Sequence, residues 1–524
     1  MELAESQKKV LELAGQVGPE VYLVGGFVRD WLLGRESTDI DIAIPGEPAF
    51  ALQMARHLAN QAQKELKNYR ASPFSLDPEN GTARVVFSAK DEKAAKSFYL
   101  DITVLEGGNI ITDLARRDFT VNALALALNS FVAADGKVGV EDVIDKVGGL
   151  ADLVNRIIRP VGEQNLMADP LRMLRGLRQR AQLSSKAAQW QFAPGTLELF
   201  KKHSALIKRS AVERVRDELN KIWRAENSSY SLHLLNQTEM LKQIVPELSS
   251  FEKDSSQFNT FELVSKFFAF QERLITSLPD EQGNSPLEGV IASSSPAQII
   301  KHWPAMLGEL EANGRERVVL LCWATLFRYS YLKKIPPFEQ VEPSQYQPDY
   351  FEALALQARE IMLRLRFSRE ASERVISMLR GQARIRELNK LFDPINSGGI
   401  SNRLAYRFLQ DTHPVQTETL ILALAEVGTR AEKNLAGQNW QTQLALTDFL
   451  ARKYLGSQEE RIIGKPRLLD GQQLIAGLGL KPGPKIGQLL HELEEAQADG
   501  QIASPEEALE LAKSLLTLSP QALS

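Results

Sequence analysis

The stretch that decides the fold is VYLVGGFVRDWLLGRESTDIDIAI, residues 21–44. Its first four residues are apolar, as in a short buried strand, and a glycine pair follows at which the backbone can approach a ligand closely. A helix is predicted over Phe27–Leu33, and the last six residues alternate with period two. Because side chains at i and i+2 of a strand share a face, Asp39 and Asp41 point the same way while the isoleucines point into a core.

This combination predicts a site for phosphate and metal. Two adjacent carboxylates repel each other, and a divalent cation that prefers oxygen ligands, such as Mg²⁺, relieves the repulsion. Backbone N–H groups after Gly25 and Gly26, at the start of a helix, favour an anion, and Arg29 adds a fork of donors that fits phosphate. An isolated Asp-x-Asp pair is usually just a solvated strand face. Only the conjunction with the glycines and the arginine predicts a functional site.

Composition limits the class of protein. A chain of 524 residues predicts three or four domains, and its one cysteine, Cys322, excludes a disulfide framework and indicates a reducing cytoplasm. The N-terminal segment lacks the apolar core of a signal peptide, and the longest apolar run, Val318–Phe327, is too short to span a bilayer. We therefore expect a cytoplasmic protein that does not enter a membrane. The six histidines lack the spacing of a metal-dependent hydrolase.

Charge is unevenly distributed along the chain. The net charge is −4, but residues 156–226 contain 15 Lys and Arg against 7 Asp and Glu. A local basic excess beside a carboxylate-bearing site is what binding of a polyanion such as RNA would use. A solvated helical surface is the alternative explanation of the same residues.

The first stretch and four later ones resemble the ordered motifs of one family. GGFVRDWLLG followed by DID is similar to the signature of class II tRNA nucleotidyltransferases (CCA-adding enzymes) and bacterial poly(A) polymerases, within the polymerase-β-like nucleotidyltransferases. Four further segments are similar to motifs two to five of that family: Arg116–Leu124 (RRDFTVNAL), Asp145–Leu153 (DKVGGLADL), Asp169–Arg178 (DPLRMLRGLR) and Glu213–Lys221 (ERVRDELNK). Five motifs in the same order over about 220 residues make a specific resemblance.

The resemblance implies an α+β fold, with a polymerase-β-like head of mixed sheet and helices followed by an all-α neck, body and tail. We place the catalytic head at residues 1–150, the neck with the nucleobase-selecting helix at 151–226, the body at 227–395 and a tRNA-binding tail at 396–524. Polar and proline-rich breaks at Ser249–Gln257, Pro279–Pro296 and Ile335–Pro348 are candidate loops or boundaries in the helical part. Near the C-terminus, Leu474–Leu490 predicts two helices joined by a tight turn.

The resemblance also assigns roles in nucleotidyl transfer, in which a 3′-hydroxyl attacks an α-phosphate and pyrophosphate leaves. Asp39 and Asp41 would hold Mg²⁺, and Asp101 is the candidate third catalytic carboxylate; a plain strand-face aspartate is the alternative for Asp101. The nucleotide would contact four residues of the first two motifs: Gly25, Gly26, Arg29 and Arg117. Asp30, Asp118 and Asn122 would orient these neighbours, and Asp118 could equally cap a helix.

The fourth motif would select the base. Asp169, Arg172, Arg175 and Arg178 recur every three residues on a predicted helix, so they form a slowly winding strip. Asp169 and Arg172 would mimic a Watson–Crick edge for cytosine and adenine, with the other two arginines supporting them or holding phosphate. The family usually has Glu-Asp here, whereas this chain has Ala168 before the aspartate. That departure puts the nucleotide preference in doubt.

The resemblance therefore predicts an enzyme that adds all or part of the 3′-terminal CCA to tRNA from CTP and ATP. A poly(A) polymerase that uses ATP alone and a specialist for CC or A addition are the alternatives. CC-only members of the family lack a flexible segment between the first two motifs, so a mobile loop predicted at Gly107–Asp113 favours addition of the terminal A. A non-catalytic RNA-binding protein would have lost the metal ligands, and a small-molecule nucleotidyltransferase would not need the helical remainder. The oligomeric state is left open.

Overall fold

The computed structural model describes residues 3–18, 20–91, 95–185, 187–251, 260–276, 300–328, 348–394, 399–431 and 437–518. The chain divides into two compact units, one made of residues 1–218 with 237–243 and the other of residues 219–236 with 244–524. The finer division into head, neck, body and tail stays a prediction. The predicted break at 279–296, and most of those at 249–257 and 335–348, lie outside the described residues.

The first unit is built on a seven-stranded mixed sheet. Its strand order is β3-β4-β5-β2-β1-β6-β7, and β2–β5 is the parallel pair among antiparallel neighbours. A parallel pair of two residues each, β8 with β9, lies further along the chain, among the helices of residues 151–226. The strands are β1 Tyr22–Val24, β2 Asp39–Ile44, β3 Tyr69–Asp77, β4 Thr82–Ala89, β5 Phe98–Val104, β6 Leu124–Ala127, β7 Ile144–Asp145, β8 Ile157–Ile158 and β9 Gln191–Phe192.

Helices cover the apolar face of this sheet. Ile40, Ile42 and Ile44 are fully buried in one core with side chains of α1 and α3, as the period-two pattern predicts. The helices are α1 Glu5–Gly15, α2 Gly25–Leu32, α3 Pro48–Glu65, α4 Ile110–Ala115, α5 Leu128–Ala133, α6 Gly149–Asn155, α7 Glu163–Ala168, α8 Leu171–Leu183, α9 Thr196–His203 and α10 Val212–Arg224.

One helix start and one strand differ from the sequence prediction. The helix after β1 begins at Gly25 and not at Phe27, and Gly25 has a φ of 68°, which a glycine adopts without steric cost. Strand β3 was not predicted, because its exposed serines and a proline at position 73 obscure its alternation. It is an edge strand, where a proline is tolerated.

In the third motif, the Asp145 side chain binds the backbone N–H groups of the turn that follows it. Its carboxylate accepts N–H bonds from Val147 (3.0 Å), Gly148 (2.9 Å), Gly149 (3.0 Å) and Leu150 (2.9 Å). Four donors at the start of α6 are thereby satisfied by one side chain. A Cβ on Gly149 would lie 2.2 Å from the carbonyl oxygen of Thr120, so the second glycine is needed for close packing.

We expect Asp145→Ala to loosen this turn by about 2–3 kcal/mol, because charge-assisted bonds to four N–H groups are lost. Amides of residues 147–150 should exchange with deuterium roughly 30- to 150-fold faster, as measured by hydrogen exchange on the full chain. Asp142→Ala is the matched control, since that carboxylate accepts one N–H bond, from Gly139. Equal exchange in both variants would contradict the assignment.

The named elements of the second unit are helical. Helix α10 continues into this unit, and α11 and α12 also reach its boundaries. The helices after α10 are α11 Ser228–Gln237, α12 Met240–Ile244, α13 Thr260–Ile275, α14 Trp303–Arg328, α15 Pro348–Arg364, α16 Arg369–Leu391, α17 Asn402–Asp411, α18 Gln416–Ala431, α19 Gln438–Leu455, α20 Gly471–Leu478, α21 Pro484–Ala498 and α22 Pro505–Leu518. The predicted pair of helices near the C-terminus is present as α20 and α21. Within the described part of the chain, no helix has the length and hydropathy needed to cross a bilayer.

A buried charge cluster lies in the second unit. The Glu426 carboxylate on α18 contacts Arg328 (3.2 Å), Arg386 and Arg430 (3.0 Å). Arg328 is fully buried and also donates to the Tyr350 hydroxyl at 2.8 Å. One carboxylate thus links guanidinium groups from α14, α16 and its own helix.

Candidate active site

Three side chains lie in a row across adjacent strands of the sheet. Arg84 on β4 is in register with Asp101 on β5, and Asp101 is in register with Asp41 on β2. Asp39, two residues before Asp41, is exposed at the beginning of β2. The sheet therefore brings together the three carboxylates that the sequence predicted as catalytic, although about 60 residues separate Asp41 from Asp101.

Asp41 lies at the junction of β2 with the start of α2. The backbone N–H of Phe27 donates to its carboxylate, and a Cβ on Gly25 would lie 3.3 Å from it and 3.0 Å from an Arg117 nitrogen. Gly25 thus leaves room for a guanidinium and a carboxylate to approach. Burial, with the nearby charges of Asp101 and Asp39, raises the pKa of Asp41 to about 7, against the opposing effect of Arg117.

The pKa of Asp41 is raised chiefly by burial, and the neighbouring carboxylates Asp101 and Asp39 add to the effect. Within the described ranges, no three His, Cys, Asp or Glu side chains converge closely enough to hold a metal ion by themselves. Mg²⁺ is commonly held by one or two carboxylates together with substrate phosphates. Asp39 and Asp41 fit that kind of site, with the remaining ligands coming from the nucleotide and water.

Asp101 is held by Arg84. The guanidinium donates from Nε and from a terminal nitrogen to the two carboxylate oxygens, both at 2.6 Å. The same guanidinium lies 5.0 Å from the centre of the Tyr99 ring. A bidentate pair fixes both the position and the orientation of the carboxylate.

Side chains of the second motif hold Arg29 of the first motif in place through hydrogen bonds. Its guanidinium pairs with Asp30 (2.9 and 3.0 Å) and donates to the Asn122 side-chain oxygen at 2.8 Å. Asn122 in turn donates to Asp118 at 3.0 Å. Asp118 also accepts the N–H of Phe119, at the start of a short 3-10 turn. The orienting role predicted for these three neighbours agrees with this chain of contacts.

The segment predicted as a mobile loop, Gly107–Asp113, consists of a short turn followed by the start of a helix. Strand β5 ends at Val104 and α4 begins at Ile110, with a 3-10 turn between them. The N–H of Glu106 donates to Asp113 at 3.2 Å, and the Asn109 side chain caps α4. Asp113 also pairs with Arg117 at 2.9 Å. Hydrogen bonds thus connect the turn before α4 with the helix that follows it.

The base-selecting strip is arranged differently from the prediction. Helix α8 begins at Leu171, so Asp169 lies just before the helix, where it accepts the N–H of Leu171 at 3.2 Å. Proline at position 170 explains this, since a proline suits the first turn and disfavours a preceding helical residue. Arg172 donates to the carbonyl oxygens of Arg116 (2.6 Å) and Asn165 (3.3 Å), which ties α8 to the second motif.

Arg175 and Arg178 face the fifth motif. Arg178 donates to the Glu218 carboxylate at 3.3 Å, and Arg175 lies 4.0 Å from the same oxygen. Burial lowers the pKa of Arg178, which Glu218 and, more weakly, Asp118 oppose. Of the two roles predicted for these arginines, support of the strip agrees better with the contacts than phosphate binding does.

Two functional candidates were missed from the sequence, Arg84 and Glu218. Glu218 lies within the fifth motif, and its place on the buried face of α10 was a usable signal. Arg84 had no such signal, because only the strand register reveals that it faces Asp101.

Comparison with protein families supports the motif assignment. Residues 21–159 match the family described as the poly(A) polymerase head domain. Residues 191–252 match the one described as a probable RNA and SrmB-binding site of polymerase A.

Named relatives extend over nearly the whole chain. An A-adding tRNA nucleotidyltransferase of Deinococcus radiodurans is 28% identical over 94% of this chain and 94% of its own. A CC-adding tRNA nucleotidyltransferase of Thermus thermophilus is also 28% identical, over 93% of this chain and 92% of its own. Two relatives with different specificities are thus equally similar.

Solved structures share the fold. A Thermotoga maritima CCA-adding enzyme complexed with tRNA aligns with a TM-score of 0.54 at 21% identity, over 98% of this chain and 97% of that one. A CCA-adding enzyme complexed with ATP aligns with a TM-score of 0.57 at 22% identity, over 100% of this chain and 97% of that one.

Proposed function

We propose that the chain is a member of the family of tRNA nucleotidyltransferases and bacterial poly(A) polymerases, and that it adds nucleotides of the 3′-terminal CCA to tRNA, using CTP and ATP and releasing pyrophosphate. The observation that carries the proposal is the strand register, in which Asp41 and Asp101 face each other beside Asp39. The glycine–arginine turn after β1 adjoins these carboxylates. The basic residues 156–226 would bind the RNA backbone.

The charged residues of the site would have separate roles in binding metal, binding the triphosphate and accepting a proton. Asp39 and Asp41 would hold Mg²⁺, whose chemistry at such a site is to activate the 3′-hydroxyl and to stabilise charge on the phosphates. Arg29 and Arg117 are fixed by carboxylates and would bind the triphosphate, which spares the cost of ordering them on binding. Asp101 would accept the proton of the attacking hydroxyl or orient it.

Base selection is proposed for Asp169 and Arg172. The carboxylate of Asp169 would accept from the amino group that cytosine and adenine share, and Arg172 would donate to the neighbouring ring acceptor. The Nε of Arg172 is buried without a hydrogen-bond partner among the described residues, so it is available as a donor. Arg214 lies 3.6 Å from Asp169 and would orient that carboxylate.

Within this function we propose that CC addition dominates. The family resemblance associates addition of the final A with a flexible segment between the first two motifs. Here the segment between β5 and α4 has five residues, 105–109, and its turn is closed by hydrogen bonds from the Glu106 N–H to Asp113 and from the Thr112 N–H to the Asn109 side chain.

Incubation with three tRNA transcripts tests both steps of this proposal. The transcripts lack CCA, CA or only the final A, and CTP or ATP is supplied separately. We expect CMP incorporation on the first two transcripts, and AMP incorporation on the third at least about 100-fold slower, because the resemblance associates the final A with a flexible segment and hydrogen bonds close this turn. Product length is read on sequencing gels.

Each other outcome has a definite meaning. Efficient AMP addition to the third transcript would contradict the CC preference and leave the tRNA function intact. Addition of long A tails with no use of CTP would favour the poly(A) polymerase alternative. Absence of incorporation with either nucleotide would contradict the proposed function.

A further inference from the structure

Arg84, the partner of Asp101, lies outside the five motifs. Arg84 projects from β4 and lies opposite Asp101 in the antiparallel register, on the face that carries Asp41. Its bidentate contact at 2.6 Å and the Tyr99 ring at 5.0 Å hold the guanidinium beside the carboxylates. Their charges, those of Asp39 and Asp41 included, act favourably on it.

We propose that Arg84 is a positioning residue that fixes Asp101 and places a positive charge near the two carboxylates proposed to hold the divalent cation; this rests on the proposed function. Three carboxylates on one face repel one another, and a guanidinium supplies one fixed positive charge against them. Unlike a metal ion, it cannot leave the site. The head can therefore fold with its carboxylates already in place and without metal.

The same charge opposes metal binding. A cation of charge +2 near Asp39 and Asp41 is repelled by Arg84, and it can share Asp101 only at the expense of the bidentate pair. A nucleotide triphosphate carries several negative charges and would outweigh one arginine. Metal should therefore bind weakly to the free enzyme and tightly once the nucleotide is present.

Binding of Mn²⁺ to the full chain without nucleotide or tRNA tests the inference, with free Mn²⁺ measured by electron paramagnetic resonance. Arg84→Gln should bind Mn²⁺ about tenfold more tightly than the unsubstituted protein, because a repulsive charge is removed. Arg84→Lys keeps the charge and loses the planar fork, so its Mn²⁺ affinity should stay near the original. Both variants should lower kcat, since Asp101 is no longer held.

Arg70→Gln is the matched control. Arg70 is an exposed arginine on the neighbouring strand β3, opposite Ser88 and four residues along β4 from Arg84. Its loss should leave both Mn²⁺ affinity and kcat unchanged. If Arg84→Gln is unstable without metal, the rise of its melting temperature with Mn²⁺ concentration measures the same affinity by linkage.

Unchanged or weaker Mn²⁺ binding by Arg84→Gln would overturn the inference. That failure is distinguishable from failure of the proposed function through Asp39→Ala with Asp41→Ala, which should abolish Mn²⁺ binding at this site. If the double variant loses binding while Arg84→Gln does not gain it, only the role of Arg84 is refuted. If neither changes binding, the metal assignment itself is refuted.

Discussion

Replacing Asp39 and Asp41 together by alanine is expected to lower nucleotide incorporation at least about a thousandfold, because both proposed metal ligands are lost. Binding of tRNA, measured by gel shift or filter retention, should change little, since the basic residues proposed to bind RNA lie elsewhere in the sequence. The combination of lost chemistry and retained binding identifies a catalytic role. Activity within tenfold of the original would refute it.

The pH dependence of folding stability, measured without metal, independently tests the raised pKa of Asp41. A carboxyl whose folded pKa is about 7 binds a proton in the folded state at pH values where the unfolded chain has released it. Folding stability from this group therefore falls as the pH rises from about 4 to 7. Asp41→Asn removes that penalty, so in the presence of EDTA at pH 8 its melting temperature should be higher than the original.

A control shows that the effect belongs to this carboxylate. Glu36 is a highly exposed acid in the same unit, paired with an exposed lysine at 3.2 Å. Glu36→Gln should change neither incorporation nor the pH dependence of the melting temperature. A lower melting temperature of Asp41→Asn in EDTA would contradict the raised pKa.

The second large effect concerns the buried cluster around Glu426. Glu426→Gln is expected to destabilise the second unit by about 3–5 kcal/mol, because removal of one partner leaves desolvated guanidinium groups without that countercharge. Urea unfolding followed by tryptophan fluorescence measures this, since four fully buried tryptophans lie in this unit: Trp223, Trp303, Trp323 and Trp440.

The same cluster predicts that the folding stability of the second unit falls at low pH. Burial alone would raise the pKa of Glu426, but Arg328, Arg386 and Arg430 together lower it to about 2. Stability from a carboxyl with a lowered pKa is present above its ordinary pKa near 4.5 and is lost as the pH falls towards 2. The difference in stability between the original and Glu426→Gln should therefore shrink below pH 4.

Glu373→Gln is the matched control. Glu373 pairs with Arg359 at 3.2 Å on the surface of the same unit, where ion pairs contribute about 0–1 kcal/mol. A cost for Glu426→Gln no greater than that of Glu373→Gln would show that the buried cluster does not carry the stability assigned to it.

The sequence predicted the local part of the site well. Asp39–Ile44 is a strand with its isoleucines buried and its aspartates on the other face, because period-two alternation directly reflects strand geometry. The Gly25 turn was also recognised, although the helix begins two residues earlier than predicted. These features depend on neighbours within about six residues.

Contacts between distant residues could not be read in the same way. The pairing of Arg84 with Asp101 follows from the strand order. That order includes the edge strand β3, whose polar residues and proline conceal its alternation in the sequence. The three-residue spacing of the fourth motif predicts Asp169 on a helix, whereas the proline that follows it indicates that the helix begins later. Glycines mark a tight turn as readily as a flexible one, and Gly107–Asp113, predicted as a mobile loop, forms a short turn and the start of α4.

The parallel pairing of β2 with β5 has a consequence for how the enzyme acquires activity. Asp41 and Asp101 become neighbours only when two strands separated by the entire β3–β4 segment pair, and pairing over such a separation has a large loop-closure cost. A ribosome that has released only the first 90 residues therefore exposes a chain with its Asp-x-Asp strand and no active site. A chain that ends between β2 and β5 lacks Asp101 and therefore a complete carboxylate set.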